Sequence, residues 1–362
     1  MQWIRWLTAL TRIMRIRAYL LIICCMTVLI PQSCRQSGIA DGVITHLSDP
    51  GMTSTLSADT LPEDSFQDVV DCQDIQVIYD TILVVRDRIS DINNYHFRTY
   101  STTTLGNLGC FAMSGRGPGE MISPYIVHCS SSAGLLVREN STSSLCAVDV
   151  MAVIDKTNHY VSCETLAPLG SLDCMPIADS TLLNFCLDGN DYVFRLVGSD
   201  CRQATAVNLF PEIGEDAASH LSSLFTSNTD IGKAAQFMVF LPQLSIVSAD
   251  GHVSVVAVSK AYTQWRSVLS QPLGPDSVQY YLGVASDVNY IYASYAGLPL
   301  KRLQDASLGT EIHIFDWSGK FVHAIKVDAD IDCLAMDAIN KYLYCRRRSD
   351  HSIVRYNLNG IV

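Results

Sequence analysis

From about residue 70 onward the apolar residues of this chain recur with a period of two, and that pattern confines it to strands. Ile75, Val77 and Tyr79 recur at every second position, with polar Gln76 between the first two, and a second apolar run, 82–85, follows after one break. Ile312 and Ile314 alternate with Glu311 and His313. The stretch Asp316-Trp317-Ser318-Gly319-Lys320 supplies a turn, and Phe321, His323, Ile325 and Val327 return on one face. Tyr342 and Tyr344 share a face, as do Val354, Tyr356 and Leu358. Runs of four to eight such residues separated by Gly, Asp, Asn and Ser read as antiparallel strands joined by hairpins. Helical spacing is nearly missing: one short helix is expected after Asp216, with Leu221, Leu224 and Phe225 on one side. No β-α-β alternation or glycine fingerprint of a nucleotide-binding sheet occurs. The chain reads as all-β.

Length selects among all-β architectures. The strand-rich region, 67–362, is too long for one sandwich of about 100 residues. It divides into six units of roughly 49 residues, the size of a four-stranded propeller blade with its loops. Divergent repeats point the same way: a buried strand, a polar turn, then another strand, as at 182–186, 243–247 and 289–293. The expected fold is a six-bladed β-propeller of four-stranded antiparallel blades. Its rival is a pair of β-sandwiches joined near residue 211.

The N-terminus reads as an export leader. Residues 1–33 carry Arg5, Arg12, Arg15 and Arg17, no acidic residue, and an apolar stretch from Ala18 to Ile30. Thirteen residues at a 1.5 Å rise span about 20 Å, short of the roughly 30 Å hydrocarbon core of a bilayer. Met14 makes a tidier start than Met1, since Arg15 and Arg17 follow it directly. Ser33-Cys34 ends the leader in the manner of a bacterial lipoprotein, which makes Cys34 the expected lipidation site, although Pro31 stands where a lipobox has leucine. Residues 34–66, rich in Ser, Thr, Gly, Asp and Pro, read as a flexible tether.

Charge and cysteine content narrow the partners. The net charge is -11, and the leader carries only basic residues, so its loss leaves the rest more acidic still. Such a surface is repelled by nucleic acid and by anionic lipid headgroups, so membrane attachment is expected from acyl chains. Thirteen cysteines are present without a C-x-x-C pair, which removes zinc-site spacing. Several lie in apolar strand runs, as Cys186 does, where a thiol acts as a small buried hydrophobe. Mostly free buried thiols with one or two disulfides are expected.

Two stretches carry a resemblance. Gly115-Arg116-Gly117-Pro118-Gly119-Glu120 resembles the G-x-G-P-G-E signature of six-bladed, TolB-like β-propeller lipoproteins of Bacteroidetes. The segment Ile312-His313-Ile314-Phe315-Asp316-Trp317-Ser318-Gly319-Lys320, with the acidic step at 328–334 and Lys341-Tyr342-Leu343-Tyr344 after it, is similar to that family's C-terminal strands. The resemblance implies a six-bladed fold and an exported lipoprotein; it implies no shared activity. In the loop itself, Gly115, Gly117 and Gly119 permit positive φ and close packing while Pro118 fixes one φ. Glu120 is placed to accept backbone N–H bonds and Arg116 to meet a carboxylate or carbonyl. The loop reads as a clamp between blades. It lacks the Gly-Lys-Ser/Thr end of a phosphate-binding loop.

Other candidate chemistry is thin. No H-E-x-x-H, paired histidine motif or G-x-S-x-G elbow occurs, and sialidase repeats are absent. His313 and His323 lie on adjoining strands. Asp188-Gly189-Asn190-Asp191 and Asp328-Ala329-Asp330-Ile331-Asp332 offer carboxylates, but at spacings of ordinary turns. Arg346-Arg347-Arg348 reads as a solvated face, and Tyr280, Tyr281, Tyr290, Tyr292 and Tyr295 suit either strands or a ligand-binding rim. The functional expectation is a non-enzymatic cell-envelope propeller, periplasmic or at the cell surface, that binds an envelope protein or a small ligand at one face of its channel. No cofactor, metal or nucleic acid is expected. The alternative is a metal-dependent, lactonase-like propeller hydrolase whose ligands come from different blades and so leave no linear motif.

Overall fold

The computed structural model describes residues 45–46, 53–156, 161–166, 171–188, 191–198, 203–208, 210, 220–259, 262, 264–303, 305 and 308–362, all within the unit Ile39–Val362. The leader, Met14 and Cys34 lie outside the described residues.

Twenty-five strands form six sheets among the described residues. Two N-terminal strands come first, β1 (Thr45–His46) and β2 (Thr53–Leu56). The first sheet follows as β3 (Cys72–Ile78), β4 (Ile82–Asp87), β5 (Tyr95–Ser101) and β6 (Asn107–Met113). The second is β7 (Pro124–Val127), β8 (Leu135–Glu139), β9 (Ser144–Val148) and β10 (Val161–Leu166). The third is β11 (Ser171–Ala178), β12 (Thr181–Asp188), β13 (Asp191–Gly198) and β14 (Gln203–Asn208). The fourth is β15 (Ser223–Asn228), β16 (Lys233–Met238), β17 (Gln243–Ser248) and β18 (Val253–Ala257). The fifth is β19 (Val278–Ser286), β20 (Tyr290–Pro299), β21 (Glu311–Asp316) and β22 (Phe321–Val327). The sixth has three strands, β23 (Ile331–Asp337), β24 (Tyr342–Arg347) and β25 (Ile353–Asn357). Each sheet is an antiparallel meander in chain order, as hairpin connections require. Among the described residues two short α-helices occur, α1 (Val150–Ile154) and α2 (Trp265–Leu269). Of the helix expected after Asp216, residues 217–219 lie outside the described residues, and Leu224 and Phe225 lie in β15, where cross-strand pairing with β16 outweighs their helical spacing.

The cores lie between sheets. Apolar clusters join the first and second sheets (Phe97, Phe111, Ile126, Val137) and the second, third and fourth (Leu145, Phe185, Phe225, Val255). Others join the fourth and fifth (Phe237, Tyr281, Phe315), the fifth and sixth (Ile314, Ile325, Leu334), and the sixth and first (Leu83, Tyr100, Tyr344). The packing therefore runs in cyclic order and returns from the last sheet to the first, an arrangement consistent with a β-propeller. Each fully buried Phe or Tyr contributes on the order of 2 kcal/mol through apolar area removed from water.

Polar staples reinforce the same order. Arg86 on β4 donates to Pro124 O, at the start of the second sheet, at 2.9 Å. Arg138 on β8 donates to Leu172 O and Ser171 O of the third sheet at 2.9 and 3.0 Å. Ser294 on β20 donates to Asp332 O of the sixth sheet at 3.1 Å. Arg346 on β24 donates to Cys72 O and Gln73 O of the first sheet at 3.0 and 2.9 Å. All four sit on the second strand of their sheet and reach the first strand of the next.

The N-terminal strands depart from the expected tether. β2 pairs in parallel with the outer strand β22, Thr53 opposite Ala324 and Leu56 opposite Val327, and β1 pairs in parallel with β18. Asp59 N–H then donates to Arg355 O on β25 at 2.8 Å. Phe66 packs edge-on against Tyr100, ring centroids 4.9 Å apart. A Ser/Thr-rich segment has no core of its own, but an outer sheet edge supplies backbone partners without asking for an apolar pattern.

Candidate functional site

The first strands of all six sheets line one pocket of about 240 Å³. Gln73 and Asp74 come from β3, Ile126 and Val127 from β7 and His128 just after it, Asp173 and Met175 from β11. Ser223, Leu224 and Phe225 come from β15, Leu282, Gly283 and Val284 from β19, and Cys333 and Leu334 from β23.

The pocket has a floor. Beyond β7 the chain runs on as His128–Ser131 and bonds strands of non-neighbouring sheets. Ser227 N–H donates to His128 O at 3.2 Å and Ser130 N–H to Ser227 O at 2.7 Å. Ser131 N–H donates to Ser286 O at 3.0 Å, and Asp80 N–H to Ser131 O at 2.8 Å. Gln76 Nε2 donates to Cys129 O at 3.4 Å, and the Thr226 and Ser286 hydroxyls meet at 2.7 Å. Backbone bonds thus run directly from the second sheet to the fourth and fifth.

Three aspartates stand near the starts of first strands, each accepting the N–H of the residue after it: Asp74 from Ile75 at 2.9 Å, Asp173 from Cys174 at 2.8 Å and Asp332 from Cys333 at 2.8 Å. Local geometry explains the preference. Gln73, Leu172 and Asp332 are extra residues opposite β4, β12 and β24, and such bulges leave backbone groups unpaired. Asp74 and Asp173 directly follow their bulges, while Asp332 is the bulged residue itself.

Each carboxylate meets a different environment. Asp332 is held by Arg346, with Nε at 2.8 Å. Asp74 is 3.1 Å from His128 Nε2. Burial works to raise the Asp74 carboxyl. The charge and hydrogen bond of His128, then Arg86 and the Ile75 N–H, outweigh it and hold the group below its ordinary value. For His128, burial works downward, but the charge and hydrogen bond of Asp74, with Asp173 behind them, raise the imidazole above its ordinary value. At Asp173 burial dominates and pushes the carboxyl up, against the Cys174 N–H, Arg138 and His128. Its nearest cation is Arg138 Nη1 at 4.0 Å. The thiol of Cys333 is driven well above its ordinary value by burial, so it stays protonated.

The residues singled out by sequence go elsewhere. In the 115–120 loop, Glu120 folds back so that its carboxylate accepts Gly117 N–H at 2.7 Å. A Cβ at Gly115 would stand 2.0 Å from that carboxylate, so a side chain there would displace the Glu120 carboxylate. Only Gly119 of the three glycines has positive φ, 76°. Pro118 is exposed, and Arg116 is exposed with no ion pair among the described residues. His313 stacks on Tyr295 at 4.3 Å, whereas His323 bonds Ser54 Oγ at 2.8 Å, so the two histidines face apart. Tyr281 and Tyr292 are core residues, not a rim.

The basic and acidic runs answer each other. Arg346 pairs with Asp332 and Arg348 with Asp330, while Arg347 pairs with Asp350. Asp328 accepts Ala58 N–H and the Tyr356 hydroxyl. Arg346–Arg348 is therefore no free solvated face. Asp188 and Asp191 close a two-residue hairpin, and Gly189 and Asn190 lie outside the described residues. Among the described residues no group of three or more His, Cys, Asp or Glu side chains is arranged to hold a metal. Seven described cysteines are free and Cys146 is disulfide-bonded. A wider depression of about 520 Å³ opens near Asp71, Asp87 and His351. Its carboxylates are taken: Asp87 by Val70, Asp71 and Arg88 N–H, Asn93 and Arg98, and Asp71 by His351 and Arg88.

Sequence reasoning passed over Asp74, His128 and Asp173, which the fold gathers from three sheets. No family model matches the chain. No curated protein matches it either. Solved structures similar to it include a protein from Bacteroides fragilis described as exported, 10% identical with a TM-score of 0.49, covering 84% of this chain and 98% of that one. Virginiamycin B lyase from Staphylococcus aureus is 11% identical with a TM-score of 0.43, covering 83% and 89%. The calcium-binding protein regucalcin from Agrobacterium tumefaciens is 12% identical with a TM-score of 0.43, covering 84% and 95%.

Proposed function

We propose that this chain is a six-bladed β-propeller of the TolB-like Bacteroidetes lipoprotein kind, exported and held in the cell envelope by acyl chains on Cys34, and that it binds a small ligand in its central pocket without transforming it. The observation that carries the reading is the pocket itself: six first strands converge on it, and the His128–Ser131 backbone closes it below. A cavity of about 240 Å³ suits a small molecule better than a protein surface. Six sheets packed in cyclic order support the blade count. The basic leader ending at Cys34 supports export and anchoring, and the Gly115–Glu120 loop supports the family and is read as a structural clamp.

Binding without chemistry follows from how the reactive groups are spent. Asp74 and His128 engage each other, Ser223 donates to Leu221 O at 2.8 Å instead of to a base, and Cys333 is held protonated. The lactonase-like alternative requires several open carboxylates or amides converging on one ion. Here Asp74 and Asp332 are each tied to a cation, and one carboxylate, Asp173, is left.

A thermal-shift screen of small molecules against the wild type and Leu282→Trp tests the binding reading. Ligands are expected to raise the wild-type Tm and to leave the filled-pocket variant unmoved; equal shifts in both, or turnover of a bound ligand, contradict it. Fractionation of Cys34→Ala tests the anchor, with release from the membrane expected and unchanged membrane association contradicting it.

A further inference from the structure

We infer that the central pocket takes a small organic cation, a primary amine on a short apolar body, with its ammonium against the Asp173 carboxylate. The inference rests on the reading of this pocket as a ligand site and names what the site selects.

The argument is a comparison within the molecule. Of the three first-strand aspartates, Asp332 has Arg346 and Asp74 has His128. Asp173 sits in the same place after its bulge as Asp74 does, yet has no such partner. One of its oxygens accepts Cys174 N–H, and among the described residues the other has none. Arg138, the nearest cation, stands at 4.0 Å and directs both terminal nitrogens to Ser171 O and Leu172 O. The Asp173 side chain lines the pocket and is 37% exposed, against 19% for Asp74 and 12% for Asp332. Burial also pushes its carboxyl upward, as expected for a carboxylate short of a counter-charge.

The partners fix the sign of the ligand. Asp74 has His128 beside it, whereas Asp173 keeps one carboxylate oxygen without a hydrogen-bonded cation, Arg138 standing 4.0 Å from the other. In a partly desolvated site its charge attracts a cation and repels a carboxylate or phosphate. The walls fix the rest: Leu224 and Leu282, both half-buried, present apolar surface to whatever carries the charge. A guanidinium is matched less well, because its fork needs two free carboxylate oxygens and Cys174 already holds one. A divalent metal needs several oxygen ligands, and Asp173 offers one open oxygen against apolar walls.

The test is calorimetric titration of the full protein with n-pentylammonium, 1-pentanol and pentanoate, probes of similar shape that differ in charge. The ammonium is expected to bind and the other two to bind at least about tenfold more weakly. Asp173→Asn, which keeps the acceptor for Cys174 N–H, is expected to lose about tenfold or more of the ammonium affinity, while the exposed control Asp179→Asn keeps it. Circular dichroism confirms that each variant is folded, and the comparison of three probes on the wild type stands even if Asp173→Asn does not fold. Equal binding of pentanol or pentanoate, or unchanged ammonium affinity in folded Asp173→Asn, overturns the inference. If those probes bind and Leu282→Trp abolishes their binding, the ligand-site reading survives and the choice of cation falls. If no probe and no screened molecule binds, both fall.

Discussion

Arg346 binds the carboxylate of Asp332 through Nε at 2.8 Å and, with the nitrogen it has left, donates to Cys72 O and Gln73 O of the first sheet. One side chain thus neutralises a buried acid and ties the last sheet to the first. Arg346→Leu strands the Asp332 charge and is expected to lower stability by about 3 kcal/mol, more than an exposed ion pair accounts for. Adding Asp332→Asn recovers part of the loss. Denaturant titration of both variants checks this, and a loss below about 0.5 kcal/mol contradicts it.

At Gly283 the fifth and sixth sheets approach closely. A Cβ there would lie 1.7 Å from Asp332 O, a backbone atom that has no alternative position without moving β23. Gly283→Ala is expected to cost about 3 kcal/mol or to prevent folding, although alanine is otherwise the mildest of replacements. An unchanged melting temperature shows that the two strands are further apart.

Stability contributed by the Asp74–His128 pair has a definite pH window. His128 is raised, so its contribution is complete below its ordinary value of 6.5 and disappears as pH rises through the folded value. Asp74 is lowered, so its contribution is present above its ordinary value of 3.8 and disappears as pH falls through the folded value. The difference in unfolding free energy between wild type and His128→Gln is therefore expected to be widest near about pH 5, at about 1–2 kcal/mol, and to narrow on both sides in denaturant titrations. A gap that widens steadily toward alkaline pH has the wrong sign for a charged imidazole.

Residues 45–46, 53–56 and 59 bond the outer edges of three successive sheets, on β18, β22 and β25. A chain starting at Ala58 bares the β22 backbone, removes the Ser54–His323 hydrogen bond and strips Leu56 from its apolar contacts. Unpaired edges invite association. The shortened chain is expected to melt lower and to form oligomers in sedimentation experiments; a monomer of unchanged stability shows that the segment adds nothing.

What was legible in the sequence was local. The Asp316–Lys320 hairpin could be read because turn chemistry and alternation sit within a dozen residues, and Gly319 takes the positive φ, 84°, that the turn needs. Glu120 folding onto the 115–120 backbone was equally local. The staples Arg86, Arg138, Ser294 and Arg346 recur about every fifty residues or a multiple of it, but a single polar position of mixed type is too sparse to register as a repeat. His128 and Asp74 stand 54 residues apart on different sheets, and no spacing rule links them. Strand β2 escaped notice because edge pairing in parallel uses backbone alone. The basic and acidic runs near the C-terminus misled for a related reason: each looks solvated until β23 and β24 lie side by side.

The most direct measurement of the central claim is calorimetric binding of n-pentylammonium to the wild type and to Leu282→Trp, with folding of both verified. Saturable binding to the wild type that vanishes when the pocket is filled is the predicted result. Binding of equal affinity in both proteins places the ligand elsewhere and contradicts the account.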